Sequence, residues 1–258
     1  MSFDRVAGIY DATRGLPEEV SDAVARRIML ATHATPETRF LELGIGSGRI
    51  ALPILRQGVE YTGVDISSKM LAVLRQKLRG EKLELIEADA TRVPLADHSF
   101  DVVLAVHLLH LVPNWHQVLA EARRLLAPGG YFVMGHDRSL PGTPVAEIRS
   151  EWWKLSQEGL AEHRQERGSW QQVEEALASS GGWTAVWQAA RWSSAATPLS
   201  FVELLHARTF SASWDVPQPI LESTHQKLQK WVRARYGDLH QSLESSYEFL
   251  ISVTRWQQ

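Results

Sequence analysis

With 258 residues, 44% of them hydrophobic and 22% charged, the chain has room for one large α/β core with a lid, or for two smaller domains. Its 27 basic and 30 acidic residues give a formal net charge of −3 with no dense Lys/Arg run, which argues against nucleic acid as a partner. The absence of cysteine excludes disulfides, thiolate metal sites and cysteine nucleophiles.

The segment Met-Ser-Phe-Asp-Arg-Val-Ala-Gly has no apolar h-region. No window reaches the roughly 18–20 uninterrupted apolar residues of a membrane span, so a soluble, cytoplasmic protein is expected. Residues 17–33 open on a proline and two glutamates and carry apolar positions at 20, 24, 28 and 31, the stripe of a helix capping the sheet. Strands are predicted at 39–43, 60–65, 83–87, 101–106 and 131–136, with helices near 48–57, 67–79 and 114–126. That alternation predicts an α/β, doubly wound, mostly parallel sheet. The turn Ala127-Pro-Gly-Gly130 is expected to close the third of these helices.

Beyond Arg138 the pattern changes. Leu140-Pro-Gly-Thr-Pro144 reads as a loop, followed by helices near 145–159 and 169–179, a strand at 183–191, helices near 198–210 and 217–236, and a seventh strand at 246–254. The expected organisation is a helical cap over 1–35, an α/β core over 36–137, and lid helices with the remaining strands over 138–258, forming a single compact domain.

The stretch Arg39-Phe-Leu-Glu-Leu-Gly-Ile-Gly-Ser-Gly-Arg49, followed by Tyr61-Thr-Gly-Val-Asp65, joins a strand, a glycine turn and a second strand ending in a carboxylate. Gly44, Gly46 and Gly48 allow a ligand to lie against the main chain, and Asp65 stands where a carboxylate accepts from ribose hydroxyls. A dinucleotide site has Gly-x-Gly-x-x-Gly and receives a pyrophosphate, the basis of a competing dehydrogenase reading. Here Glu42 precedes Gly44-x-Gly46-x-Gly48. A carboxylate there is expected to place negative charge beside the loop, repelling pyrophosphate and suiting the ammonium and sulfonium of S-adenosylmethionine.

Four ordered blocks, Phe-Leu-Glu-Leu-Gly-Ile-Gly-Ser-Gly at 40–48, Gly-Val-Asp-Ile-Ser at 63–67, Glu-Ala-Asp-Ala at 87–90 and Ser-Phe-Asp-Val-Val at 99–103, resemble the class I S-adenosylmethionine-dependent methyltransferases. The resemblance is to their small-molecule branch, which includes the ubiquinone and menaquinone biosynthesis type. It covers residues 1–137 well and the remainder loosely. It implies a Rossmann-like seven-stranded fold, S-adenosyl-L-methionine as cofactor and a small-molecule acceptor. It further implies that the Gly44–Gly48 main chain, with Glu42, holds the methionine part and that Asp65 binds the ribose. By the same resemblance Ile66 and Met70 flank the adenine, Asp89 and the Ala90 amide read its amino edge, and Val106 and His107 complete the shell. For Met70, ordinary helix–sheet packing stands as the alternative reading. Tyr10-Asp-Ala-Thr-Arg14 resembles a segment folding over the cofactor in many relatives, with Tyr10 and Arg14 as lid residues; an exposed salt bridge is the alternative for Arg14.

Methyl transfer from a sulfonium is largely a matter of positioning, and a base is needed only when the acceptor must lose a proton. His107 and His110, just after the fourth predicted strand, are the candidate bases, against a reading of Ala105–Asn114 as an apolar wall. A metal held by this pair is not expected, since no third ligand stands at diagnostic spacing. His136-Asp137 end the fifth predicted strand, within reach of an acceptor or simply solvated.

Eight of the ten tryptophans (Trp152, Trp153, Trp170, Trp183, Trp187, Trp192, Trp214 and Trp231) fall within residues 138–245. They line a cleft for an apolar acceptor or fill the cores of added helices. Arg149, Arg164, Arg167, Arg191 and Arg208 are candidates for an anionic acceptor group, or solvated charges. An RNA or protein methyltransferase and a non-catalytic S-adenosylmethionine-binding protein stand as alternatives.

Overall fold

The computed structural model describes residues 3–158 and 169–256. After a 3-10 turn at Ala7–Ile9 come α1 (Tyr10–Arg14) and α2 (Glu18–Ala31). The chain then alternates β1 (Arg39–Leu43), α3 (Ala51–Leu55), β2 (Glu60–Asp65), α4 (Ser68–Lys77), β3 (Leu83–Glu87), β4 (Phe100–Val106), α5 (Trp115–Leu125) and β5 (Leu126–Ser139). It continues as α6 (Pro144–Gln157), α7 (Trp170–Ser179), β6 (Gly182–Ala196), α8 (Pro198–His206), α9 (Gln218–Tyr236) and β7 (Leu243–Trp256). None of the helices among the described residues is long and apolar enough to cross a membrane.

One seven-stranded sheet runs in the order β3-β2-β1-β4-β5-β7-β6. The pairs β2–β3, β1–β2, β1–β4 and β4–β5 are parallel, so the doubly wound, mostly parallel sheet read from the sequence is the one observed. The strand order reverses at β1, which lies between β2 and β4. Ligands of open parallel sheets sit at the carboxyl ends of the strands at such a reversal.

The chain divides into two compact units rather than the three consecutive segments expected. One holds Met1–His136, Glu166–Ala190 and Phe249–Gln258, the other Asp137–Gln165 and Arg191–Glu248. The difference arises because α7, the first part of β6 and the end of β7 return to the α/β core.

In the first unit, Phe40 to Leu43 of β1 and Val102 to Val106 of β4 are buried throughout, as central strands covered on both faces must be. Leu41, Leu43, Val103, Phe132, Val118 and Leu125 form its core with Val173 and Leu177 of α7. Arg39 ties β1 to β4, its Nη2 donating to Asp101 Oδ1 at 2.8 Å and its backbone N–H to Oδ2 at 2.9 Å. α2 buries Val20, Val24 and Ile28, the predicted stripe, with Glu18 and Glu19 at its positive end. In the second unit, Val145, Ile148 and Trp152 of α6 pack with Phe201 and Leu205 of α8 and Leu228 and Val232 of α9.

One expected turn is absent. Ala127–Gly130 lie inside β5, where Phe100 pairs with Leu126 and Val102 with Tyr131, so the register slips. Pro128 has no N–H for the ladder and Gly129 sits at φ +77°, which makes this stretch an irregularity within the strand.

Candidate functional site

The loop after β1 is bent by three residues in the left-handed region, Gly44 (φ 72°), Gly46 (φ 55°) and Gly48 (φ 78°). The N–H groups of Gly44 and Ile45 donate to the Val64 carbonyl of β2 at 2.7 and 3.0 Å. Gly46 N–H donates to Asp65 Oδ2 at 2.8 Å, and Ser67 N–H donates to Asp65 Oδ1 at 2.8 Å. Asp65 therefore pins the glycine loop to the start of α4. The Ile66 amide also favours the carboxylate, and a carboxylate has about four acceptor directions, more than these amides use. Burial raises the Asp65 pKa, opposed by the Ser67 and Gly46 amides.

The three glycines do different work. A Cβ on Gly48 would stand 2.3 Å from Leu74 Cδ1 and 3.3 Å from Leu52 Cγ, so this position allows close packing of α3 and α4. On Gly44 it would meet Leu108 Cδ1 at 2.8 Å. On Gly46 the nearest atom is the Met70 methyl at 3.2 Å, the end of a flexible side chain. Met70 is itself buried and held there because Ser67 Oγ caps α4, accepting from the Met70 N–H at 3.1 Å. Ile66, by contrast, leaves 49% of its surface open beside Asp65.

Asp89 follows β3, where the Ala88 N–H donates to the Asp65 carbonyl at 3.1 Å. Its Oδ1 accepts from both the backbone N–H and the hydroxyl of Thr91 at 2.8 Å, and Ala90 is buried. Val106 is buried at the end of β4. His107 comes next at φ 52°, unusual for a residue with a side chain, and its N–H donates to the Gly135 carbonyl at 2.9 Å. Its ring meets those of His110 and Phe249 edge-on, each at 6.2 Å between centroids. His110 lies in the short 3-10 turn Leu109–Leu111 and is exposed. His136 lies against Trp170, ring centroids 3.9 Å apart.

Glu42 differs from its expected role. Its carboxyl is 2% exposed and accepts from the Tyr61 hydroxyl at 2.7 Å, so it faces a buried phenol. Burial, opposed by that hydrogen bond and by Arg49, pushes its pKa up to about 8 from an ordinary 4.5. Near neutrality the group is mostly uncharged, so, contrary to expectation, it does not repel a pyrophosphate by its charge. A buried acid with a raised pKa stabilises the fold below its unfolded pKa and loses that contribution as pH rises through the folded one. Stability should therefore fall between about pH 5 and pH 8, and Glu42→Gln should be more stable by about 4 kcal/mol at pH 8 and equal to the parent near pH 4.5. Urea unfolding across that range measures this; an identical slope in both proteins contradicts it.

The N-terminal segment is fastened to the glycine loop by residues the sequence reading passed over. Asp11 Oδ1 accepts from the Ser47 hydroxyl at 2.6 Å and Asp11 also pairs with Lys77, whose Nζ donates to the Ser47 carbonyl at 2.7 Å. Arg49 Nη1 donates to the Arg14 carbonyl at 2.7 Å, and Ser67 Oγ donates to Asp4. Tyr10 meets Phe3 edge-on at 5.8 Å. The signal was present in Tyr10-Asp-Ala-Thr-Arg14, where the Asp11 carboxylate and the Arg14 carbonyl both make ties to the loop.

The tryptophans are mostly structural. Trp152 and Trp214 are buried, Trp170 and Trp231 pack on the two cores, and Trp192 stacks on Tyr247 at 5.4 Å. Trp153 and Trp183 are exposed by 49% and 65%. Arg208 is no anion receptor: its guanidinium donates to the carbonyls of Ser213, Trp214 and Val216 at 2.6, 2.9 and 2.7 Å. Arg149 lies over the Phe201 ring at 5.9 Å, and Arg191 is exposed. Arg164 and Arg167 lie outside the described residues.

A methyltransferase-domain family model matches residues 41–134, the stretch from β1 into β5. The phosphatidylethanolamine N-methyltransferase of Cereibacter sphaeroides is 34% identical over 151 residues, covering 57% of this chain and 71% of that protein. The chain belongs to the class I S-adenosylmethionine-dependent methyltransferases. A fatty-acid O-methyltransferase of Mycolicibacterium smegmatis is 34% identical over 131 residues, 48% of each chain, so this methyltransferase spans about half the length of that relative. In fold it resembles the YcgJ protein of Bacillus subtilis, with a TM-score of 0.60 and 16% identity over 91% of this chain and 98% of that one. The residues present fit the family's donor. Gly46 leaves main chain approachable, Asp65 keeps acceptor directions for hydroxyls, and Ile66 offers an open apolar face next to them.

Proposed function

We propose that this methyltransferase transfers a methyl group to a small, partly apolar molecule in the cytoplasm. The observation that carries the reading is the Gly46 loop at the strand-order reversal, opened by positive φ and pinned to Asp65. Bound S-adenosylmethionine supplies an already activated methyl electrophile. The Gly44–Gly46 main chain holds the methionine part, Asp65 accepts from the ribose hydroxyls, Ile66 covers an adenine face, and Asp89 with the Ala90 amide reads its edge. Asp11, Lys77 and Ser47 keep the N-terminal segment, with Tyr10 and Arg14, over the loop.

His107 is the proton acceptor for an acceptor that must be deprotonated, with His110 as its ring neighbour. Its left-handed backbone supports this, because strained residues concentrate where a side chain must be aimed. A small apolar acceptor agrees with the lipid substrates in the names of two relatives and with the absence of a basic run. Incubating the purified chain with methyl-labelled donor and a fractionated cell extract tests the reading. Label should enter the small-molecule fraction, and His107→Gln should lower transfer by at least about tenfold, more than it weakens donor binding. Label in RNA or protein, or donor binding without transfer to any fraction, would overturn it.

A further inference from the structure

Far along the chain from the glycine loop, two Glu-x-x-His repeats occupy neighbouring helices: Glu203 and His206 on α8, Glu222 and His225 on α9. A spacing of three brings each pair onto one helix face. The pairs cross over, with His206 Nε2 at 3.3 Å from Glu222 Oε2 and His225 Nε2 at 3.6 Å from Glu203 Oε1. The two imidazoles stack, with centroids 4.0 Å apart and planes 18° from parallel. One ligand atom each from Glu203, His206 and His225 lies within 4.8 Å of the others. A tetrahedral ion with bonds of about 2.0–2.1 Å sets its ligand atoms about 3.3 Å apart, so small side-chain rotations suffice to close the set.

We propose that Glu203, His206 and His225 bind a divalent transition-metal ion of the zinc type, with Glu222 beside them as a further carboxylate. Crossed ion pairs account for the His–Glu contacts one at a time, whereas a single ion accounts for three ligand atoms converging on one point. Neutral imidazole is the form that ligates a metal. Two carboxylates and two imidazoles meet at this point, and a dication matches the two carboxylate charges. Mixed nitrogen and oxygen donors suit zinc better than magnesium or calcium, which take oxygen.

The surroundings hold the donors in place. Gln229 Nε2 donates to Glu203 Oε1 at 3.4 Å, and Gln218 Nε2 donates to Glu222 Oε1 at 2.6 Å. The connection from α8 to α9 is clamped by Arg208 on three carbonyls, and Trp214 Nε1 donates back to the Arg208 carbonyl at 2.7 Å. Such outer hydrogen bonds orient metal ligands.

The test uses the full chain without a histidine tag, stripped with a chelator and titrated with Zn²⁺ by calorimetry and with Co²⁺ by visible absorption. The expected result is one ion per chain and the intense Co²⁺ bands of a tetrahedral site. His206→Asn and Glu203→Gln, each checked for folding by circular dichroism, should weaken both by about tenfold or more. Zn²⁺ should also raise the melting temperature of the parent and not of the variants. No uptake, equal uptake by parent and variants, or equally good competition by Mg²⁺ would overturn the proposal. None of these readouts depends on donor binding or methyl transfer.

Discussion

Asp65→Ala is expected to weaken S-adenosylmethionine binding by about 30- to 1000-fold, roughly 2–4 kcal/mol. The loss has two parts. In the proposed complex the carboxylate accepts from the ribose hydroxyls, and charge-assisted bonds in a half-buried setting are the stronger kind. In the protein alone it also receives the Gly46 and Ser67 amides, both at 2.8 Å, so truncation releases the loop that must lie against the ligand. Asp65→Asn should lose less, because the remaining carbonyl oxygen still accepts from one amide while the NH₂ cannot. Calorimetric titration measures both variants, and parent-like affinity in Asp65→Ala would show that the site lies elsewhere.

The second large effect separates two glycines that look alike in the sequence. Gly46→Val should bring donor binding below detection, at least about 100-fold, while costing the fold only about 1–2 kcal/mol for a β-branched residue at positive φ. Gly48→Val should instead cost about 3–5 kcal/mol of stability, because the new Cβ would stand 2.3 Å from Leu74 Cδ1 in addition to the same backbone strain. Urea unfolding with calorimetry on each variant separates the two. Gly46→Val binding donor normally, or proving the less stable of the pair, would reject this division of labour.

Legibility in the sequence followed burial. β1, β2 and β3 occupy the residues predicted for them, because apolar runs bounded by glycine and polar residues leave a parallel strand little freedom in register. α2 and α5 were readable from their stripes. α1 was not, since five residues carry no period. Ala127–Gly130 read as a turn because proline and glycine mark turns and strand irregularities alike, and only the pairing of Phe100 with Leu126 distinguishes them.

The site shows the same limit. The glycine loop and Asp65 were readable because the chemistry requires those residue types at that spacing within one βαβ unit. Asp11, Lys77 and Ser47 were not, because 36 residues separate Asp11 from its Ser47 partner and nothing local marks the pair. Arg208 read as a solvated or anion-binding charge until its carbonyl partners were visible.

By itself the sequence determined the alternation of strands and helices, the glycine turn at the end of β1 and the acid at the end of β2, since periodicity and spacing are local properties of the chain. Only the tertiary structure decided that Glu42 is a buried, largely neutral acid on Tyr61, that Gly46 rather than Gly48 keeps main chain open, and that two Glu-x-x-His repeats face each other. Each of these depends on which distant residue fills the space beside a side chain, and that is settled by packing.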